Sequence, residues 1–307
     1  MEIVRTLARS RSLMPRAIEV IRAVPDQLWT HREQGLLHPR TVYARALNKI
    51  CEAWLEVFPE LNALSGQLRF DQPTLAAKSV ESTYVRLLNA LNEHVDACYA
   101  VIRCFGKPPQ NRGLWHDKVA KKQNPAGLKT FEEQVIDGYR RVRLGRAVNL
   151  LKHDEARIRL LALRSSGTLT VGYYIDGPQP GGSIGPAMAV HADGNSAFSF
   201  NRDMLLHWWW LYRSSELLAR VVEHASASNP ATAAVTVDPP VATPGAVEPW
   251  SDLCQAVASL RADLMPDEVM QPYPMVVVTG LADSMRLSFP AERRANAIRG
   301  EAKFTNL

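Results

Sequence analysis

The sequence predicts a mainly α protein, a helical bundle with a small antiparallel β insert and a small C-terminal α+β appendage. Three observations lead there. Apolar residues recur at steps of three and four through several long segments; short alternating segments flank Asp193-Gly194, a hairpin-type turn pair; and the Ala, Pro, Val and Thr-rich stretch 226–248 has no amphipathic period. At 307 residues the chain can bury a substantial core. The organisation expected is a bundle domain over 1–226 carrying a β insert at about 166–200, a Pro/Ala-rich linker at 227–248 and the appendage over 249–307.

Pro15, Pro25 and Pro39 interrupt the N-terminal region, which gives no clear element. Pro39 suits the first turn of a helix that carries Val42, Ala46, Ile50, Trp54 and Val57 and is expected to stop at Pro59. A second helix starts near Asp71 and runs through Tyr84, Leu87, Leu88, Leu91, Val95, Cys98 and Ile102 to Gly106, ahead of Pro108 and Pro109. Residues 106–127 read as a long loop, the kind retained for a functional role. Thr130 and Glu133 form a T-x-x-E capping box, followed by Phe131, Val135, Tyr139 and Val142, for a helix expected to reach about Leu160. Strands are expected over Thr168–Ile175, Met188–His191 and Ser196–Phe200. Asn201 then offers a cap for a long helix whose consecutive Trp208, Trp209 and Trp210 cover most of its circumference, so it belongs in the core. A last helix spans about 249–260, with strands Met275–Thr279 and Met285–Phe289 around Gly280.

The four cysteines, Cys51, Cys98, Cys104 and Cys254, lack metal-ligand spacing and read as buried thiols of a reducing compartment. Neither a signal-peptide pattern nor a membrane-length apolar run occurs, so the expected location is the cytoplasm, with no membrane partner. The net charge of +5 is concentrated mid-chain: between Lys107 and Arg157 twelve basic residues face six acidic ones. Such a block is the footprint of a phosphate-bearing partner, or a solvated helix face and loop.

Within that block Arg146, Asn149 and His153 fall at i, i+3 and i+7 and share one side of a helix. A cation, an amide and an imidazole together can bind a phosphate, orient a nucleophile and move a proton. Arg146-Ala-Val-Asn-Leu-Leu-Lys-His153 resembles the catalytic helix of the HEPN helical-bundle proteins, whose ribonuclease members carry an Arg, four to six intervening residues and a His. Here six intervene, and Ala147 stands where that family usually has a polar residue, leaving Asn149 as the nearest candidate. The resemblance implies Arg146 and His153 in the catalytic positions, Asn149 orienting, and a homodimer that joins two such helices at one metal-independent RNA-cleaving site. Lys118, Lys121, Lys122, Arg140, Arg143 and Lys152 are the candidate RNA-binding cations. The competing assignment makes Asn149 and His153 hydrogen-bonded members of a packing seam, with Leu144, Val148 and Leu151 as the core stripe.

Gly181-Gly-Ser-Ile-Gly185 matches G-x-S-x-G, with His191 and Asp193 downstream, but the nucleophile elbow needs a parallel sheet, and Pro178, Pro180 and Pro186 crowd the motif. No phosphate loop, dinucleotide fingerprint, zincin or EF-hand motif occurs, and no cofactor or metal is expected. Three function classes follow: an RNA-binding or RNA-cleaving protein, a non-catalytic adaptor binding a protein partner through its C-terminal appendage, and, a distant third, a serine hydrolase.

Overall fold

The computed structural model describes residues 4–7, 14–70, 76–107, 115–153, 156–165, 168–178, 184–191, 197–228, 247–261, 263, 265, 269–270, 276–277, 285–288, 293–294 and 303–306. The chain begins with β1 (Val4–Leu7), α1 (Ala17–Ala23), α2 (Pro39–Arg69), α3 (Ala77–Arg103) and α4 (His116–Gln123). A continuous helical run follows in three parts: α5 (Leu128–Phe131), a π-helical segment (Glu132–Leu144) and α6 (Gly145–His153). Next come β2 (Ile158–Ser165), β3 (Thr168–Pro178), β4 (Ile184–Pro186), β5 (Phe198–Ser199), α7 (Phe200–Ala227) and α8 (Val247–Ser259). The short strands β6 (Val269–Met270), β7 (Val276–Val277), β8 (Met285–Ser288), β9 (Arg293–Arg294) and β10 (Lys303–Asn306) complete it. The mainly α class with a small antiparallel β part is the one the sequence predicts.

The long helices form where the apolar periods are strongest. α2 and α3 lie against each other along much of their length, and α7 packs on α1, α3, the helical run and β3. Pro59 does not end α2. Leu61, Leu64 and Leu68 continue the buried stripe of Leu47, Ile50, Trp54 and Val57 for three further turns, and this burial outweighs the helix penalty of about 3 kcal/mol for an internal proline. Tryptophans bind the bundle centre. Trp208 meets Trp54 edge-on at 5.2 Å and stacks on Trp250 at 5.7 Å, as the all-round apolar character of α7 predicts.

Several expected boundaries move. α4 occupies part of the expected 106–127 loop. The helical run starts at Leu128 rather than at a Thr130 cap, because Gly127 adopts a left-handed φ of +87° and Phe131 N–H bonds its carbonyl. The cap of α7 is Ser199, whose Oγ accepts from Arg202 N–H, so Asn201 lies inside the helix. Met188–His191 forms a turn closed by the Ala187 carbonyl instead of a strand. The Asp193-Gly194 turn, the Gly280 turn and most of the expected linker fall outside the described residues.

The largest correction concerns the end of the third helix, which stops at His153; Ile158–Ser165 is strand β2. Its side chains alternate between two cores: Ile158, Leu160 and Ala162 face the main bundle, Leu161 and Leu163 a smaller cluster with Ala197 and Met265. The Leu160–Leu163 stretch is buried on both faces and continuously apolar, so its sequence resembles the continuation of a buried helix. The sheet runs β10-β2-β3-β4 with β5 also on β3, and every pair among the described strands is antiparallel.

The helix α8 is tied into this framework. α8 places Trp250, Leu253, Cys254 and Val257 in the main core, and Trp250 Nε1 donates to Tyr212 Oη at 3.0 Å. All four cysteines are buried free thiols, and burial pushes Cys51 up to about 11 and Cys104 and Cys254 up to about 12. No helix among the described residues is long and apolar enough to cross a membrane.

Trp250→Ala removes an aromatic side chain from a junction of α7 and α8 and is expected to cost about 3–5 kcal/mol of global stability. Urea unfolding followed by fluorescence and by circular dichroism should show one transition shifted as a unit; a separate early transition would mean that α8 docks on an independently stable bundle.

Candidate functional site

The helical run positions every basic residue singled out above between 140 and 153. Its buried side chains are Leu128, Phe131, Val135, Tyr139, Leu144, Ala147 and Val148. The step of five between Tyr139 and Leu144 reflects π winding, in which each N–H reaches the carbonyl five residues back, as Gly145 does to Arg140. A Cβ at Gly145 would lie 2.9 Å from that carbonyl oxygen, so glycine lets the π segment pass into α6. Gly138 sits under Trp210 of α7, whereas Gly145 meets its own run rather than another helix. The winding also carries Val142 off the core face, where it is 56% exposed.

The polar face of α6 follows from this rotation. Arg146, Asn149 and His153 are all exposed, while Leu144 and Val148 line the core and Leu151 is half-buried. The packing-seam assignment for Asn149 and His153 therefore lacks the burial it needs. Arg146 Nη1 donates to the Ala189 carbonyl at 3.1 Å, which ties the face to the turn after β4. Lys152 is exposed beside it, and neither Arg146 nor Lys152 forms an ion pair among the described residues.

The other candidate cations divide into two kinds. Lys118 and Lys122 on α4 are exposed and without ion pairs among the described residues, whereas Lys121 Nζ lies 3.3 Å from Glu132. That glutamate stands at the opposite end of the helical run from Arg146, so the α4 lysines are not gathered with the α6 face. Arg140 binds Asn92 Oδ1 at 2.9 Å and Asp96 Oδ1 at 2.8 Å, clamping the run to α3. Arg143 turns inward to Asp203 on α7 and lies over the Phe198 ring at 3.9 Å.

Asp203 is the centre of a buried polar cluster that sequence reasoning missed. Its Oδ2 accepts hydrogen bonds from Tyr84 Oη on α3 and Tyr173 Oη on β3, both at 2.6 Å, and Oδ1 pairs with Arg143. His207 Nε2 stands 3.3 Å from Oδ2, and its Nδ1 is 2.7 Å from Tyr139 Oη. A signal existed: Asp203 and His207 are an i, i+4 pair on a helix apolar all round, where a carboxylate requires partners. Burial alone would raise the Asp203 carboxyl, but Arg143, His207 and Arg202 outweigh it and hold the group well below the usual carboxylate range. Burial, then the adjacent Asp203 charge, pushes both Tyr84 and Tyr173 well above the ordinary phenol value. These groups hold their protons and one another. With Asp203 and Tyr84 fully enclosed, the cluster braces the fold.

Among the described residues no group of three His, Cys, Asp or Glu side chains is placed to hold a metal ion. Ser183 lies outside the described residues, and β4 beside it pairs antiparallel with β3, whereas the nucleophile elbow belongs to a parallel sheet. Comparison with known proteins returns no similarity: no family model, curated protein or solved structure matches the chain.

Two arginines three positions apart thus have opposite roles. Arg143→Ala should destabilise the protein by about 3–5 kcal/mol by leaving Asp203 buried without its main cation, and Arg146→Ala should change stability by less than about 0.5 kcal/mol. Chemical denaturation of the two variants tests the division, and equal effects would refute it. The Asp203 shift also has a sign. Its folded value lies below the unfolded value of about 3.9, so its contribution is complete above that pH and is lost as pH falls toward the folded value. Asp203→Asn should flatten acid destabilisation below about pH 4, measured by urea midpoints across the range.

Proposed function

We propose that the α6 face binds RNA and that the chain is a HEPN-like RNA-binding or metal-independent RNA-cleaving protein. The observation that carries this reading is the exposure of Arg146, Asn149 and His153 on one short helix, with Arg146 and Lys152 unpaired to carboxylates among the described residues. The neighbouring Arg140, Arg141 and Arg143 are, by contrast, paired with Asp96, Asp137 and Asp203. Uncompensated cations beside an imidazole suit a phosphodiester, whose binding by cations is salt-sensitive.

In this reading Arg146 and Lys152 hold the phosphate and Arg146 stabilises charge as the phosphorus becomes five-coordinate. The 2′-hydroxyl oxygen forms a bond to the adjacent phosphorus, and the bond to the 5′-oxygen breaks. His153 moves the proton, taking it from the 2′-hydroxyl or giving it to the leaving oxygen, with Asn149 orienting the ribose. The products are a 2′,3′-cyclic phosphate and a 5′-hydroxyl. Arg140 and Arg143, committed to α3 and α7, drop from the set of RNA contacts in this account, and Lys118 and Lys122 stay available.

A second reading, a non-catalytic adaptor, draws on the exposed apolar side chains Phe70, Trp115 and Ile184, each more than 70% accessible. These three side chains come from separate elements, the end of α2, the residue before α4, and β4.

The test is incubation of a mixed-sequence RNA with wild type and His153→Ala in the presence of a chelator. Expected are cyclic-phosphate products from wild type only, a loss of about 100-fold or more in the variant, and binding that weakens steeply with salt and with Arg146→Ala. Absence of both cleavage and salt-sensitive binding by wild type would remove the RNA reading and leave the adaptor in front.

A further inference from the structure

A cavity of about 240 Å³ opens where the last turns of α2, the start of β3, the start of α7 and the end of α8 converge. Its floor is apolar, formed by the buried Leu61, Val171, Phe200 and Leu260. Its wall carries Asp263, whose Oδ1 receives Asn201 Nδ2 at 2.9 Å and Ser199 Oγ at 3.5 Å. The exposed Arg69 and Arg261 line the cavity as well. None of these three charges is in an ion pair among the described residues. This region plays no part in the α6 face.

We infer that this cavity binds a free α-amino acid with an apolar side chain, its ammonium on Asp263, its carboxylate on Arg69 and Arg261, and its side chain on the floor. Each part of the ligand answers a part of the wall. Asp263 is a half-buried carboxylate held by neutral donors, with Arg261 acting on its charge but not ion-paired to it among the described residues, and burial lifts its carboxyl above the ordinary value. An ammonium group supplies the missing counter-charge. The two guanidiniums would repel a simple amine, and a carboxylate on the same ligand reverses that. Arg261 stands two residues from Asp263 and acts on its charge, so sites for anion and cation lie side by side, as the two charges of an α-amino acid do. Size argues the same way. Pockets for drug-sized ligands run from about 300 to 1,000 Å³, so this smaller cavity favours a compact metabolite over a nucleotide or a lipid chain.

Titration calorimetry of the full chain with leucine and phenylalanine tests the inference, beside two controls that each lack one charge, 3-methylbutylamine and 4-methylpentanoate. Expected is saturable binding of an amino acid, at least about tenfold tighter than either control and weakening toward acid pH as Asp263 takes up a proton. Asp263→Asn should lower affinity by about tenfold or more. Should that variant fail to fold, Arg69→Ala, at the exposed end of α2, should do so without altering the melting temperature. No binding by either amino acid, or equal binding of the singly charged controls, would overturn the inference. Loss of affinity in His153→Ala would overturn it too, by moving the site to the α6 face.

Discussion

The carboxylate of Asp203, closed off from solvent, constrains most of what surrounds it. A buried charge must be met by hydrogen bonds and counter-charge, and the groups that meet this one come from α3, the π segment, β3 and α7. Tyr84 and Tyr173 must keep their protons to donate to it, and Arg143 must reach inward. Breaking such a cluster costs far more than forming it gains, because any orphaned member is left desolvated. Its value is in specification: one arrangement of helix against sheet satisfies all partners, and sliding either element would strand at least one.

The π winding belongs to the same constraint. It brings Tyr139 to His207 and Arg143 to Asp203, then places Leu144 into the core with a step that an α-helix would not take. The consequence on the outside is the α6 face. Once the run has rotated, Val142 and the Arg146, Asn149 and His153 series point to solvent, and the internal demand for cations has been met by Arg140 and Arg143. What is left over on the surface is positive and without a carboxylate partner among the described residues, the property on which the proposed role of α6 rests.

The C-terminal segment has a comparable double part. Trp250 closes the aromatic layer of Trp54, Trp208 and Tyr212, while β10 extends the sheet along β2. The chain after α8 then crosses the start of α7, where Ser199 and Asn201 hold Asp263. The cavity opens beside this crossing, between the end of α2 and the start of α7, with an apolar floor and charged side chains on its wall.

The sequence by itself determined the helices, because helical burial repeats every three or four residues and that period can be read locally in α2, α3 and α7. It also determined the buried tryptophans, since three in succession cannot all face water, and the thiols, which sit within apolar stripes. The tertiary structure alone decided where α2 stops and where the helical run starts. Pro59 and the Thr130 box are local signals overridden by packing at Leu61, Leu64 and Leu68 and by the backbone of Gly127. It alone made β2 a strand, because a segment rich in leucine takes its conformation from its partners on both edges, the neighbouring β3 and the distant β10. Of the candidate site, the shared helix face of Arg146, Asn149 and His153 was legible, being a matter of spacing. Which arginines are spent inside and which remain outside was not, since that depends on Asp203, sixty residues from Arg143 in sequence and in direct contact with it only after folding.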